Sequence, residues 1–245
     1  MEVGTKQIAL FDLDGTLLPW DTQCLFSNFV LRKQGWRRLL FLFYIALLPL
    51  YILRLISETT MKRAYLVYLW GLQDSLIQSY AKEFAQEVVQ DWSYEEMRKR
   101  VEAHLSRGDE TWLVTASPSV YAKEIANAFG FTKVLCTEVT QFSSFPLMPS
   151  LTFGNNKGSV KVDRLNDMKV IGQNDEIPVS AYSDSMADMP MLLIADHKVL
   201  VNPSERLVTS CGEGDVEVLR FERPWNTPAQ KFYLIALYFL GLRKK

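Results

Sequence analysis

The chain contains 245 residues, of which 48% are hydrophobic, and carries a formal net charge of −1. This length suits one α/β core with an insertion, and the near-neutral charge argues against binding to nucleic acid. His104 and His197 stand in no metal-binding pattern and the three cysteines form no CxxC pair, which disfavours a zinc hydrolase or a Ser-His-Asp enzyme and favours buried thiols in a reducing compartment.

A short apolar run at residues 8–13 predicts an interior strand, and Asp12 and Asp14 emerge together at its carboxyl end. Open α/β sheets bind their ligands at that end. Because two neighbouring carboxylates do not both ionise readily without a cation between them, this spacing indicates a divalent metal or a shifted proton. The alternative is a turn in which Asp and Gly only end the strand.

Residues 39–53 contain no charged or strongly polar side chain, which is not the pattern of an amphipathic soluble helix. Trp36 and basic residues flank the segment, as they do at membrane interfaces, so we predict that it associates with a membrane. A fully buried core helix is the alternative, because the segment is shorter than the ~20 residues that span a bilayer. Residues 232–240 repeat this pattern ahead of Arg243 and two lysines, within a predicted apolar tail at 226–245.

The basic residues around the apolar segment support the hypothesis that they gather anionic lipid at the membrane surface. Ordinary flanking charge without any role in substrate choice is the alternative. The residues concerned are Arg37, Arg38, Arg54, Lys62 and Arg63.

Charged helical faces at residues 75–89 and 94–105 follow, and strand-like and helical patterns then alternate to the end of the chain. This alternation predicts right-handed βαβ crossovers and a parallel sheet. The predicted strands are 112–115, 133–136, 179–182 and 198–201, and the helices between them are 120–129, 160–165 and 186–195. We therefore predict a core at 1–20 and 106–225 and a helical insertion at 21–105.

Three further groups of polar residues occur along the chain, and two of them lie at the ends of predicted strands. Each has a structural alternative, since the hydroxyl residues and aspartates can cap helices and the lysines can form a solvated helical face. The groups are Thr115 with Ser117, Lys157 with Lys161, and Asp184 with Asp188.

In this order, the motifs resemble those of the haloacid dehalogenase-like (HAD) phosphohydrolases. The resemblance implies a Rossmann-like α/β core with an inserted helical cap of the C1 type, here partly membrane-associated. It also implies that Asp12 attacks phosphorus, that Asp14 acts as acid and base, and that Mg²⁺ is the cofactor. The phosphoryl group would be bound by Thr115, Ser117 and one of the two lysines. Family members with a GxxK pattern favour Lys161 and those with a KG pattern favour Lys157; we favour Lys161. The implied metal-site residues are Asp12, Asp14 through its main-chain carbonyl, Asp184 and, from the second shell, Asp188.

The sequence is also similar to the bacterial phosphatidylglycerophosphatase C family in FDLDGTL, LRKQ, LLPL, LWG, WLVT and YSDSxxDxP. This similarity implies dephosphorylation of phosphatidylglycerophosphate to phosphatidylglycerol on the cytoplasmic face of the inner membrane, with the phosphorylated lipid and the membrane surface as partners. Residues 39–53 must then dip into the membrane and return, or residues 64–72 must form a second crossing, because Asp12 and Asp184 meet at one metal. The alternatives are a cytoplasmic phosphatase for a small metabolite such as phosphoserine, an inert scaffold and a phosphotransferase.

Overall fold

Six parallel strands form one sheet in residues 6–170, 177–212 and 214–243, the part of the chain that the computed structural model describes. Their order is β3-β2-β1-β4-β5-β6, which places β1 between β2 and β4 at the point where the strand order reverses. The strands are β1 (Ile8–Phe11), β2 (Glu110–Pro118), β3 (Lys133–Thr137), β4 (Val179–Ser183), β5 (His197–Val201) and β6 (Asp215–Leu219).

Helices cover both faces of the sheet, as expected for βαβ crossovers. Alternate residues of β1 point to opposite faces, so that Phe11 packs in a core shared with the insertion, whereas Leu10 packs against Leu165 and Met191. The helices of the sheet layers are α6 (Ser119–Phe129), α7 (Ser159–Asp167), α8 (Met189–Leu193) and α9 (Glu205–Cys211). The helix predicted at 186–195 is shorter than expected, because residues Met186–Asp188 form a 3-10 turn before α8.

The chain between β1 and β2 forms a helical insertion. Its helices are α1 (Thr22–Lys33), α2 (Phe41–Ile52), α3 (Glu58–Tyr65), α4 (Asp74–Glu87) and α5 (Glu95–Arg107). Asp21 begins α1 by accepting hydrogen bonds from the amides of Gln23 and Cys24. Residues 64–69 are buried in the protein core, so the suggestion of a second membrane crossing at 64–72 is wrong.

Helix α2 is the most exposed apolar element of the insertion. Within the described residues, the helical stretch Gly35–Ile52 is the one that is long and apolar enough to cross a membrane by length and composition, and only 11% of it is buried. Leu42 and Ile52 are among its exposed side chains. The chain returns from α2 to α3, which packs against it, so both ends of α2 belong to the same insertion.

The C-terminal segment folds back onto the insertion. After β6, α10 (Pro228–Phe239) packs against α1, and Tyr238 and Phe239 contact Trp20 and Phe41 at ring-centroid distances of 4.9 and 4.1 Å. Leu234 and Tyr238 are buried, while Phe232 and Tyr233 remain exposed. The segment predicted as a separate tail therefore ties the last strand of the sheet to the insertion.

Candidate active site

A buried lysine joins two carboxylates at the carboxyl edge of the sheet. Lys161 Nζ lies 2.7 Å from Asp12 Oδ1 and 2.8 Å from Asp188 Oδ1, and the lysine side chain is only 2% exposed. Burial raises the pKa of Asp12 well above its ordinary value, against the opposing effect of Lys161, while Asp188 and Asp184 raise it further. Burial alone would lower the pKa of Lys161, but the carboxylates of Asp12 and Asp188 raise it overall.

The structure places Lys161 rather than Lys157 beside Asp12. Helix α7 begins directly after Gly158, so Lys161 projects into the site from the first turn of that helix. Lys157 lies before the helix and forms an exposed ion pair with Glu58, 2.7 Å away.

Asp14 faces the insertion. Its Oδ1 accepts a hydrogen bond from the amide of Thr22 at 2.6 Å, and its Oδ2 accepts one from Ser117 Oγ at 2.8 Å. Burial raises the pKa of Asp14 to about 7 with help from Asp21, although the bonds from Thr22 and Ser117 lower it. A carboxyl group that titrates near neutral pH is suited to give and take a proton.

Asp184 lies close to the turn that follows β1. Thr16 Oγ1 is 3.5 Å from Asp184 Oδ1 and 3.4 Å from Asp12 Oδ2, and it accepts a hydrogen bond from the Asp184 amide at 3.1 Å. Thr16 thus holds the two carboxylates on the same side of the site. Burial and the charge of Asp188 raise the pKa of Asp184 to about 6.

Gly15 is required by this geometry. Its φ is +86°, and a Cβ atom built on it would lie 2.2 Å from Asp184 Oδ2. We expect Gly15→Ala to displace the Asp184 carboxylate and to raise the Mg²⁺ concentration for half-maximal activity by at least about tenfold. Magnesium titration of phosphate release measures this effect. Gly108→Ala is the matched control, because that glycine also has positive φ but has no atom within 4 Å of such a Cβ; equal effects of the two variants would contradict the explanation.

The donor set suits a hard cation. Asp12 and Asp184 supply two carboxylates with raised pKa values that a cation would stabilise in their charged form, and the main-chain carbonyl of Asp14 is a third oxygen in the same turn. The Asp188 carboxylate is already bonded to Lys161 and to Ser183 Oγ at 2.7 Å, which favours an orienting role over direct metal coordination. In the described ranges, no group of three or more His, Cys, Asp or Glu side chains is arranged to hold a metal ion without such main-chain help.

Thr115 and Ser117 lie near the carboxyl end of β2, which extends beyond the predicted strand to Pro118, and Ser117 contacts Asp14. Thr115 Oγ1 accepts a hydrogen bond from the Ser117 amide at 2.9 Å, and Asn156 Nδ2 donates to the Thr115 carbonyl at 2.9 Å. The Asn156 Oδ1 atom is buried without a hydrogen-bond partner. Asn156 and Thr16 were not predicted as site residues. Thr16 belongs to the DGT motif and could have been predicted from it, whereas no sequence motif points to Asn156.

A cavity of about 350 Å³ opens next to Asp14, between the core and the insertion. Its polar wall carries Lys62, whose Nζ donates to the Ala116 carbonyl and, at 2.6 Å, to Asn155 Oδ1. Its apolar wall is formed by residues of α2 and α3. The apolar and aromatic residues are Tyr44, Leu48, Tyr51, Met61 and Tyr65.

The hypothesis that all five basic residues gather lipid at the surface is not compatible with their positions. Lys62 is largely buried in the cavity, and Arg37 is buried and donates to the carbonyls of Tyr68 and Trp70 at 3.0 and 2.8 Å. Arg63 donates to the Pro149 carbonyl at 2.6 Å. These side chains join the insertion to itself and to the core.

A model of the haloacid dehalogenase-like hydrolase family matches residues 9–193, which include Asp12, Lys161, Asp184 and Asp188. The chain belongs to this family. The HAD core and the parallel sheet predicted from the sequence are thereby confirmed, and the sheet has one strand more, β6, than the five predicted.

Individual relatives of this HAD protein include phosphatases. A phosphoserine phosphatase of Mycobacterium tuberculosis is 26% identical over 163 residues, 65% of this chain and 52% of that protein. A histidinol-phosphatase of Neisseria meningitidis serogroup C is 24% identical over 245 residues, 89% of this chain and 100% of that protein. The crystal structure of a protein of unknown function from Bordetella pertussis Tohama I has a TM-score of 0.71 at 25% identity and covers 88% of this chain and 98% of that one. The HAD chain thus spans about half the length of the mycobacterial relative.

Proposed function

We propose that this HAD protein is a phosphomonoester hydrolase that acts through an aspartyl phosphate on Asp12. The observation that carries the proposal is the juxtaposition of Asp12 with Lys161 on one side and with Asp14 on the other. A phosphate monoester resists attack because its oxygens are negatively charged, and buried cations reduce that charge in the transition state. Asp12, Asp184 and the Asp14 main-chain carbonyl would hold Mg²⁺, which would supply further charge neutralisation.

Each residue then has a defined task. The Asp12 carboxylate attacks phosphorus, the bond from phosphorus to the leaving oxygen breaks, and Asp14 donates its proton to that oxygen. Asp14 next takes a proton from water, which attacks the aspartyl phosphate and releases inorganic phosphate and free Asp12. Lys161 and Thr115 bind phosphoryl oxygens, Ser117 positions Asp14, and Asp188 holds the Lys161 ammonium in place. Lys157 lines the cavity beside Asp14 and would contact the leaving group.

The first substrate class that we propose is a phosphorylated lipid such as phosphatidylglycerophosphate. Its support is the cavity beside Asp14, which leads from the reacting groups to Leu48 and Tyr51 on the exposed apolar helix α2. A polar headgroup would occupy the cavity next to Lys62, while acyl chains would lie along α2 at the cytoplasmic membrane surface. The burial of only 11% of Gly35–Ile52 supports this orientation.

The second class is a small metabolite such as phosphoserine or histidinol phosphate. The named activities of the relatives favour this class over the lipid, which no relative reported above shares. Lys62 supports it as well, because a largely buried ammonium next to Asp14 can bind a carboxylate as readily as a phosphodiester.

Phosphate release from four substrates decides between the two classes. With Mg²⁺, the purified protein is offered phosphatidylglycerophosphate in mixed micelles, phosphoserine, histidinol phosphate and p-nitrophenyl phosphate. For a lipid phosphatase we expect kcat/KM for the lipid to exceed that for either metabolite by at least about 100-fold, since only the lipid uses the α2 wall. The reverse order would assign a soluble substrate and contradict the lipid proposal. No Asp12-dependent release from any of the four would contradict the proposed activity.

A substitution in the cavity wall sharpens the comparison. Leu48→Gln is expected to raise KM for the lipid by about 5- to 10-fold and to leave p-nitrophenyl phosphate unchanged. Leu193→Gln is the matched control, because Leu193 is exposed on α8 and lies outside the cavity wall. Equal effects on the two substrates would mean that Leu48 acts on the site in general and not on the lipid.

A further inference from the structure

Asn202 fastens the C-terminal segment over the active site. It follows β5 with a φ of +46°, a left-handed conformation that Asn tolerates. Its amide donates to the Leu219 carbonyl at 2.8 Å, its Oδ1 accepts from the Phe221 amide at 2.8 Å, and its Nδ2 donates to Tyr94 Oη at 3.1 Å. Its carbonyl also accepts from Arg223 at 3.1 Å. Residues 220–235, which we call the strap, are thereby held next to the turn after β1.

The strap closes a second cavity on the active site. This cavity has a volume of about 380 Å³ and shares Asp14 and Asp21 with the first cavity, but it also contains Gly15 and Asp184. The remaining wall combines aromatic, aliphatic and neutral polar side chains with two basic ones. The residues that the strap and its contacts contribute are Trp20, Tyr94, Arg223, Trp225, Lys231 and Ile235.

The two cations of this cavity, Arg223 and Lys231, share it with Asp14, Asp21 and Asp184. Among the ion pairs of the described ranges 6–170, 177–212 and 214–243, none includes Arg223 or Lys231. Lys231 Nζ instead lies 4.9 Å from the ring centroid of Trp225, whose ring packs 4.8 Å from that of Trp20. The nearby Asp21 is engaged by the N-terminus of α1. Positive charge at the rim of a cavity therefore remains available to a ligand.

We propose that the strap cavity is an oxyanion subsite, in which Arg223 and Lys231 bind a phosphate or carboxylate group other than the phosphoryl group that Asp12 attacks. This inference rests on the proposed function for its location, because Asp14, which protonates the leaving oxygen, lines both cavities. A leaving group that starts at Asp14 can extend into either one. The oxyanion is thus the second acidic group of the substrate itself, such as the phosphodiester of a phospholipid or the carboxylate of an amino acid. Free inorganic phosphate has the same chemistry and could bind at the same place.

Steady-state kinetics of Arg223→Gln, Lys231→Gln and the double variant test the subsite. We expect KM for phosphoserine and for phosphatidylglycerophosphate to rise at least about fivefold in each single variant and further in the double variant, with kcat within about twofold. KM for p-nitrophenyl phosphate, which has no second acidic group, stays at the wild-type value. Arg223→Lys retains the charge and is expected to recover most of the loss.

Arg220→Gln is the matched control, because Arg220 is exposed on the same segment and does not line the cavity. If competitive inhibition by inorganic phosphate weakens in the strap variants while KM for all three substrates is unchanged, the subsite stands and its occupant is free phosphate. If the strap variants match Arg220→Gln in every KM and in the inhibition constant, the proposal is wrong.

A binding measurement tests the oxyanion subsite independently of whether the protein hydrolyses phosphate esters. Calorimetric titration of phosphoserine and of inorganic phosphate into Asp12→Asn protein, with and without Arg223→Gln and Lys231→Gln, needs no turnover. Weaker binding in the strap variants supports the subsite even if the wild type hydrolyses nothing, and equal binding overturns it. Thermal unfolding of each variant shows whether the strap remains folded.

Discussion

Asp12→Asn is expected to lower kcat for p-nitrophenyl phosphate by at least about 10³-fold, because the amide cannot form the aspartyl phosphate. The change removes the charge and keeps the shape of the side chain. Lys161 keeps its second carboxylate, Asp188 at 2.8 Å, so the lysine is not left unpaired. We therefore expect the melting temperature to stay within a few degrees of the wild type.

Phosphate release at saturating substrate, together with thermal unfolding, measures both parts of this prediction. Asp163→Asn on α7 is the matched control, since Asp163 is exposed and this substitution makes the same change of side chain away from the site. A variant that retains more than about a tenth of the wild-type kcat would show that another group attacks phosphorus.

Lys161→Met is expected to lower the free energy of unfolding by about 3 to 5 kcal/mol near neutral pH, because it leaves two buried carboxylates without their cation. Activity is expected to fall together with stability, since the phosphoryl oxygens lose the same ammonium. Urea unfolding of wild type and variant measures the first effect. Lys157→Met is the control; its pair with Glu58 is about half exposed on both sides, so its loss should cost less than about 1 kcal/mol.

The pH dependence of that loss has a definite sign. Burial holds the pKa of Asp12 above its unfolded value in the wild type, and removal of Lys161 takes away an interaction that lowers it. A carboxyl group with a raised folded pKa binds its proton more tightly in the native state, so the stability of the variant rises as the pH falls through that pKa. We expect the difference between variant and wild type to shrink as the pH is lowered from neutral towards the range of an ordinary carboxyl group. A difference that is constant over this range would mean that the loss comes from packing.

The sequence predicted the inner part of the sheet well, because strands buried on both faces are continuous apolar runs. The strand β6 was missed, since its sequence DVEVL carries two acids and its side chains are half-exposed at the edge of the sheet. Glu217 on that strand forms an ion pair with Arg100 of α5 at 2.6 Å. No local sequence pattern predicts a pair between residues so far apart in the chain.

The candidate site was predictable where residues follow strand ends and unpredictable where residues come from elsewhere in the chain. Asp12, Asp14 and Asp184 follow strand ends, and Thr115 lies near the carboxyl end of β2. Lys62 was interpreted as flanking charge because it follows an apolar segment, whereas the fold turns α3 so that this side chain enters the cavity. The choice between the two lysines also depended on where α7 begins, which only the turn at Gly158 determines.

The contact between α10 and α1 changes the mechanics of the insertion. Covalently, the insertion is joined to the core only by the two chain segments that follow β1 and precede β2. These two connections alone would allow a hinge rotation of the insertion relative to the core. Lys62, Arg63 and Arg100 already bond the insertion to the core. The rings of Tyr238 and Phe239 against Trp20 and Phe41 add an attachment to the C-terminal segment. An insertion attached at several separated points cannot rotate as a unit unless these contacts break, so solutes reach Asp14 through the mouths of the two cavities while α10 stays docked.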